Sequence, residues 1–211
     1  MSKAKIRLSK QELQLVTNAS WILTKNGIIK KVQLLFGSLE QEMTACLKDH
    51  IDQLPLEVIN IHSKISKGEN YEGLPYLILD CPRYFKGENI FAIRTMFWWG
   101  NFFSITLQLS GIYKIKFENK FITAFDLLKK EKFFFCHNAD QWEHHFEKTN
   151  YIPINNQLSA DRFRQLLSKI SFIKLAQKIP LKKCLTAGQT GNEANKIILN
   201  YYKKIIEILT D

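Results

Sequence analysis

Residues 90–110 read IFAIRTMFWWGNFFSITLQLS, and the reading of this stretch decides the fold. Phe97, Trp98, Trp99, Phe102 and Phe103 surround Gly100-Asn101, and Arg94 is the lone charge. Aromatic and β-branched residues of this kind suit a pleated, packed surface. The spacing predicts a β-hairpin with strands at 90–99 and 102–110. A two-residue Gly-Asn loop of type II′ joins them, with glycine where the turn needs positive φ. That register sets Trp99 opposite Phe102, Trp98 opposite Phe103, and Arg94 opposite Leu107. Side chains alternate along a strand. One face then carries Ala92, Arg94, Met96, Trp98, Phe103, Ile105, Leu107 and Leu109, and is expected to meet helices. The other carries Ile93, Thr95, Phe97, Trp99, Phe102, Ser104, Thr106 and Gln108. It is expected to be partly solvated or to line a groove.

Arg94 on an apolar face requires a carboxylate, because an unpaired buried charge costs several kcal/mol. Asp80, at the end of the neighbouring strand, is the first candidate, with Glu69 and Glu72 behind it. The plain reading is a structural ion pair. The functional reading is an arginine that binds an anionic group in a pocket. Trp99, Phe97 and Phe102 define an aromatic patch, suited to a flat ligand, a homodimer or another protein partner. Burial under a helix or loop is the plainer fate for those rings.

Working outward, Ser9-Lys-Gln-Glu12 is a capping box and opens a helix to about Lys25. Asn26-Gly27 is a helix stop. Ile28, Val32, Leu35, Phe36, Leu39, Met43, Cys46 and Leu47 follow at helical spacing. Two antiparallel helices joined at residues 26–27 are expected. Pro55 opens a shorter helix ending at Gly68, and residues 66–76 form a loop in which Glu69 and Tyr71 are candidate contacts. Residues 76–80 read as a central strand stopped by Pro82. Residues 111–117 extend the hairpin or begin a further strand. A short helix at 121–130, a strand at 132–137, a helix at 139–148 and a connector at 150–158 come next. Ser159 caps another helix, and the last begins near Asn192.

Strands cluster between helical segments, so the fold class is α+β. An antiparallel sheet of four or five strands is expected around the hairpin, covered by the N-terminal helical pair and the C-terminal helices. The 211 residues suit a single domain: helical at 9–66, sheet-rich at 74–137, helical at 139–210.

The net charge of +10 raises the question of nucleic acid. Only five of the thirty basic residues are Arg, the residue that reads base edges best, and the lysines are scattered. Nucleic acid is therefore admitted but not favoured. No secretory signal and no membrane span is read, so the expected location is cytoplasmic. Cys46, Cys81, Cys136 and Cys184 form no CxxC pair and read as buried free thiols.

The densest polar run is Cys136-His-Asn-Ala-Asp-Gln-Trp-Glu-His-His145. On a helix Asp140 and His144 share a face, and with His137 they could supply metal ligands for a small hydrolase. The spacing matches no standard metal signature, and a solvated helix is the plainer reading. Gly188-Gln-Thr-Gly191 has the spacing of a GxxG backbone clamp for RNA. It lacks the flanking strands such a clamp needs, and fits better as the start of the last helix. No cofactor is expected, and no motif is specific for a catalytic chemistry. The leading expectation is a ligand- or partner-binding protein with a groove beside the hairpin, anchored by Arg94 and Asp80. A metal-dependent hydrolase and an RNA-binding module are the alternatives.

Overall fold

The computed structural model describes residues 6–185 and 192–211. The Gly188–Gly191 motif lies outside the described residues. In chain order the elements are α1 (Lys10–Thr17), α2 (Ala19–Lys48), α3 (Leu56–Ile59), β1 (Lys64–Tyr71), β2 (Leu74–Lys86), β3 (Asn89–Trp98) and β4 (Phe102–Ser110). They continue as α4 (Ile112–Thr123), α5 (Phe125–Lys130), β5 (Phe134–Cys136), β6 (Tyr151–Pro153), α6 (Ala160–Lys169), β7 (Phe172–Pro180), α7 (Leu181–Cys184) and α8 (Asn192–Thr210). The class is α+β. The sheet is antiparallel throughout, but it has seven strands, in the order β1-β2-β3-β4-β7-β5-β6, where four or five were expected.

The extra strands come from polar stretches. β1, KISKGENY, is an edge strand, and the lysines and glycine that made it read as helix and loop suit an edge. Glu69 and Tyr71 are thus strand residues, and the helix opened by Pro55 shrinks to α3. β7 lies beside β4 in the sheet although Lys174, Gln177 and Lys178 interrupt its apolar run. β2 runs on through Pro82, which sits at an irregularity in the ladder between Asp80 and Arg83, where a missing N–H is tolerated.

The hairpin exists, but its loop has three residues. Trp98 pairs with Phe102, Arg94 with Thr106, and Ala92 with Gln108. Gly100 takes φ +73°, and Asn101 N donates to Trp98 O at 3.1 Å. The one-residue slip turns β4 over relative to β3. The face toward the helices therefore carries Phe91, Ile93 and Phe97 with Phe103, Ile105, Leu107 and Leu109, joined by Leu77 and Leu79 of β2 and Ile173, Leu175 and Ile179 of β7. Arg94 is on the opposite face, with Asp80, Thr106, Gln108 and Lys174. Ile78, Met96, Trp98 and Phe102 form an apolar cluster on that same face.

One core lies between the first face and the helices. α2 contributes Val32, Phe36, Leu39, Met43 and Leu47, and α8 contributes Ile198, Tyr202, Ile205, Ile206 and Leu209. α2 does not break at Asn26-Gly27 but continues unbroken from residue 19 to residue 48. The break falls at Asn18, whose side chain accepts from Ser20 N at 3.1 Å and Trp21 N at 3.4 Å. A helix tolerates an internal glycine at about 1 kcal/mol relative to alanine, and the apolar stripe of α2 outweighs that cost. Residues 111–117 open α4 instead of extending the hairpin, because Gly111 at φ +57° turns the chain out of the sheet.

The second face is covered by irregular chain. Residues 137–150, expected to hold a helix, form a strap. Asn138 Oδ1 accepts from Asp140 N and Asp140 Oδ1 from Trp142 N, local bonds that compete with helix formation.

Candidate functional site

Asp80 and Arg94 are cross-strand partners on β2 and β3. The guanidinium grips the carboxylate with both arms: Nε to Oδ1 at 2.8 Å and Nη2 to Oδ2 at 3.0 Å. Its third nitrogen, Nη1, donates to His144 Nε2 of the strap at 3.1 Å. Arginine has no acceptor, so this bond requires a neutral His144 with its proton on Nδ1. Burial holds the imidazole well below its ordinary pKa, and the nearby charges of Lys174 and Arg94 act the same way.

Lys174 is fully buried beneath the strap. Its ammonium donates to Gln141 O at 2.9 Å and to Glu143 O, and stands 5.6 Å from the centroid of the Tyr151 ring. Burial lowers its pKa to about 8. Tyr71 OH accepts from His144 N at 2.7 Å and His145 N at 2.9 Å, and donates to Glu143 Oε2 at 3.2 Å. Burial pushes that phenol up to about 12. Gln108 Nε2 donates to Gln141 Oε1 at 2.9 Å. Asn150 Nδ2 donates to His145 O, and Cys136 Sγ donates to Asn150 Oδ1 at 3.2 Å. Buried polar groups persist only when paired. Here the sheet supplies the partners, and the strap's own backbone is what they hold.

This cluster is closed. The Arg94 side chain is 13% exposed and that of Asp80 7%. Five surface cavities of the described residues have walls that include none of Asp80, Arg94 and Trp99. The structure thus brings Asp80, Arg94, Tyr71 and His144 together, but inside a seam and not along a groove. Glu69 lies apart at the sheet edge, 2.5 Å from Lys25 Nζ of α2. Phe97 is in the helix-side core against Phe103, with ring centroids 5.2 Å apart. Phe102 is buried on the strap side. The expected three-ring patch therefore dissolves, and Trp99 is its half-buried remnant. His137 Nε2 meets Lys148 O, Asp140 caps Trp142 N, and His144 faces Arg94, so the three proposed metal ligands point to three different partners. Among the described residues no three His, Cys, Asp or Glu side chains gather into a metal-holding group. All four cysteines are free and buried.

A second surface escaped the sequence reading. No residue from 6 to 31 is buried; Val32 is the first. Residues 6–9, α1 and the first turns of α2 form an arm with eight exposed large apolar side chains: Ile6, Leu8, Leu13, Leu15, Val16, Trp21, Ile22 and Leu23. Val16 is 70% exposed and Leu23 67%. A groove of about 480 Å³ lies in the crook of the arm, lined by Leu8, Leu15, Val16, Ala19, Trp21 and Ile22 among others. At the root of the arm Trp21 meets Trp99 edge to face, with centroids 6.5 Å apart. The signal was present in the sequence. Ile22, Leu23 and Leu34 fall off the stripe that α2 buries, so helical period alone places them on its outer side. No helix among the described residues is long and apolar enough to cross a membrane.

Comparison with known proteins finds no family model, no curated protein and no solved structure that matches this chain.

Proposed function

We propose that this chain is a partner-binding protein, and that its working surface is the N-terminal arm with Trp99 at its root. The carrying observation is the run of eight exposed apolar side chains between residues 6 and 23. Scattered exposed apolar residues need no explanation, but five of these, Leu8, Leu15, Val16, Trp21 and Ile22, line one groove, and a contiguous patch marks an interaction surface. The arm has polar residues between its apolar ones, Arg7, Lys10, Gln11, Glu12, Gln14, Thr17, Asn18 and Ser20, and its α1 and α2 portions are helical before any partner arrives. That order lowers the entropic cost of association. The Arg94–Asp80 pair has a structural task in this reading: it fixes the hairpin whose tip presents Trp99.

Site-specific photo-crosslinking in cells tests the proposal. A photoreactive residue at Leu15 or Leu23 is expected to give discrete protein adducts that the same group at exposed Lys169 does not. No adduct above the Lys169 control would refute it.

A further inference from the structure

We infer that the chain has a second site, independent of the arm: a lysine-lined double cleft bordered by α5, β7, α7 and α8 that holds the phosphate backbone of a single-stranded nucleic acid. Charge, shape and aromatic lining select this occupant.

Lys129, Lys132, Lys178, Lys183 and Lys196 are scattered in sequence: in α5, just after it, on β7, on α7 and on α8. The fold sets all five in the walls of two surface clefts of about 380 and 520 Å³, which meet at Lys178, Lys183 and Tyr201. One carboxylate, Glu131, shares those walls, and Lys204 pairs with it. Lys129 and Lys196 reach Asp126 and Glu193 one helical turn away, exposed contacts that solvent screens. Among the described residues Lys132, Lys178 and Lys183 form no ion pair. Residues 186–191, which follow in sequence, contain no Asp or Glu. The negative end of α5 accounts for Lys129 by itself, but no helix end accounts for Lys178 on β7. Nor is this the +10 of the chain spread evenly. The cleft between α2 and α8 has the opposite sign, with Glu42, Asp49, Glu207 and Asp211 against Lys203.

Shape narrows the class of anion. A bilayer is flat and meets cations on a convex face, whereas these lysines stand in the walls of a groove. Two clefts joined end to end suit a linear anion whose charges repeat along it. Lysine is a point charge on phosphate, and among the described residues lining the clefts there is no arginine, the fork that reads base edges. The contact is therefore to the backbone and carries no sequence information.

Aromatic rings separate a single strand from the remaining linear anions. Tyr201 lines both clefts and Phe134 the larger, and each is half-buried. A cationic groove with rings on which unpaired bases stack is the arrangement that holds single strands. A duplex keeps its bases stacked inside and offers the rings nothing, and an acidic peptide would engage the lysines alone. The Gly188–Gly191 motif takes no part in this site.

Fluorescence anisotropy of labelled mixed-sequence RNA and DNA single strands, titrated with the full chain between about 50 and 200 mM salt, tests the inference. The variant Lys132→Gln/Lys178→Gln/Lys183→Gln is compared with Lys48→Gln/Lys86→Gln/Lys169→Gln, which removes the same charge elsewhere. All six lysines are exposed, so both variants should keep the wild-type circular dichroism. Each phosphate contact on a single strand adds about 0.7 to the salt slope of log K. The cleft variant should therefore lose about 2 from that slope and bind at least about tenfold more weakly, while the control stays close to wild type. Tyr201→Leu should weaken binding by about tenfold with the slope unchanged, the mark of stacking lost without charge. Binding of RNA alone, DNA alone or both supports the inference and identifies the source of the strand. No binding of either at the lowest salt would overturn it, and so would equal losses in the two triple variants. A duplex that binds as tightly, or polyglutamate that competes as well per charge, would replace the single strand with a different anion. None of these outcomes touches the arm, which stands or falls on its crosslinks.

Discussion

Arg94→Met removes, in one step, both bonds to the Asp80 carboxylate and the bond to His144 Nε2. Neither partner of the ion pair is a surface group, since the side chains are 13% and 7% exposed. The small values measured for solvent-screened pairs therefore do not apply. Deleting one partner of a buried pair strands the other charge and costs roughly 3–5 kcal/mol. At about 2–4 °C per kcal/mol for a chain of this size, the melting temperature should drop by about 6–20 °C. The companion variant Asp80→Leu/Arg94→Met removes both charges and leaves His144 without its donor, a loss of about 1 kcal/mol. It should recover most of the stability, so a double-mutant cycle should return a coupling of about 2–4 kcal/mol. Urea unfolding followed by tryptophan fluorescence measures all four proteins. Hydrogen exchange at the amides of His144 and His145 reports the strap directly, because both donate to Tyr71 OH. A single variant that costs less than about 1 kcal/mol, or a double variant no better than the single, would refute the argument that the sealed pair holds the sheet and strap together.

Lys174 titrates near pH 8 in the fold, whereas a free lysine titrates near 10.4. Between those values the unfolded chain binds a proton that the folded chain does not, so this residue should add about 3 kcal/mol of stability as pH rises through that window. Cys81 and Tyr71, with raised pKa, pull the other way, so the quantity to measure is the difference between wild type and Lys174→Met; a difference flat from pH 8 to 10 would count against the assignment. Below about pH 6.5 the unfolded His144 takes up a proton that the buried one resists, so acid should loosen the strap, and His144→Gln, which keeps an acceptor for Arg94, should blunt that loss in exchange rates measured against pH. Thr95 Oγ1 is buried in the helix-side face without a hydrogen-bond partner, so Thr95→Val should stabilise by about 1 kcal/mol in the same unfolding assay. Gly111 has φ +57°, and a Cβ there would lie 2.9 Å from Glu88 O and closer still to Asn89 Oδ1; Gly111→Ala should therefore cost at least about 1–2 kcal/mol.

Much of the local structure was legible because it follows from neighbours in sequence. The capping box at Ser9, the Ser159 cap and the apolar stripes of α2 and α8 are all in place. The cross-strand pairing of Asp80 with Arg94 also follows from local reasoning, since a charge in a packed sheet must find its counterion. β7 could have been read: Ile173, Leu175, Gln177 and Ile179 alternate with Phe172, Lys174, Ala176 and Lys178. The lysines on its second row disguised it, because nothing near them in sequence announces the carbonyls of Gln141 and Glu143 that make Lys174 tolerable there.

The sequence by itself determined the α+β class, the aromatic hairpin, the main helices and the demand of Arg94 for a carboxylate, because each rests on side-chain period or on the cost of an unpaired charge. Tertiary structure decided the remainder. Whether two or three residues turn the hairpin changes little locally, yet it decides which side of the sheet β4 presents to the helices. The strap converts a candidate groove into a sealed seam through bonds spanning 31 to 74 residues. The arm is a surface because the described chain leaves most of its apolar side chains exposed. Periodicity states that a side chain seeks a partner; only the folded chain shows whether it has found one.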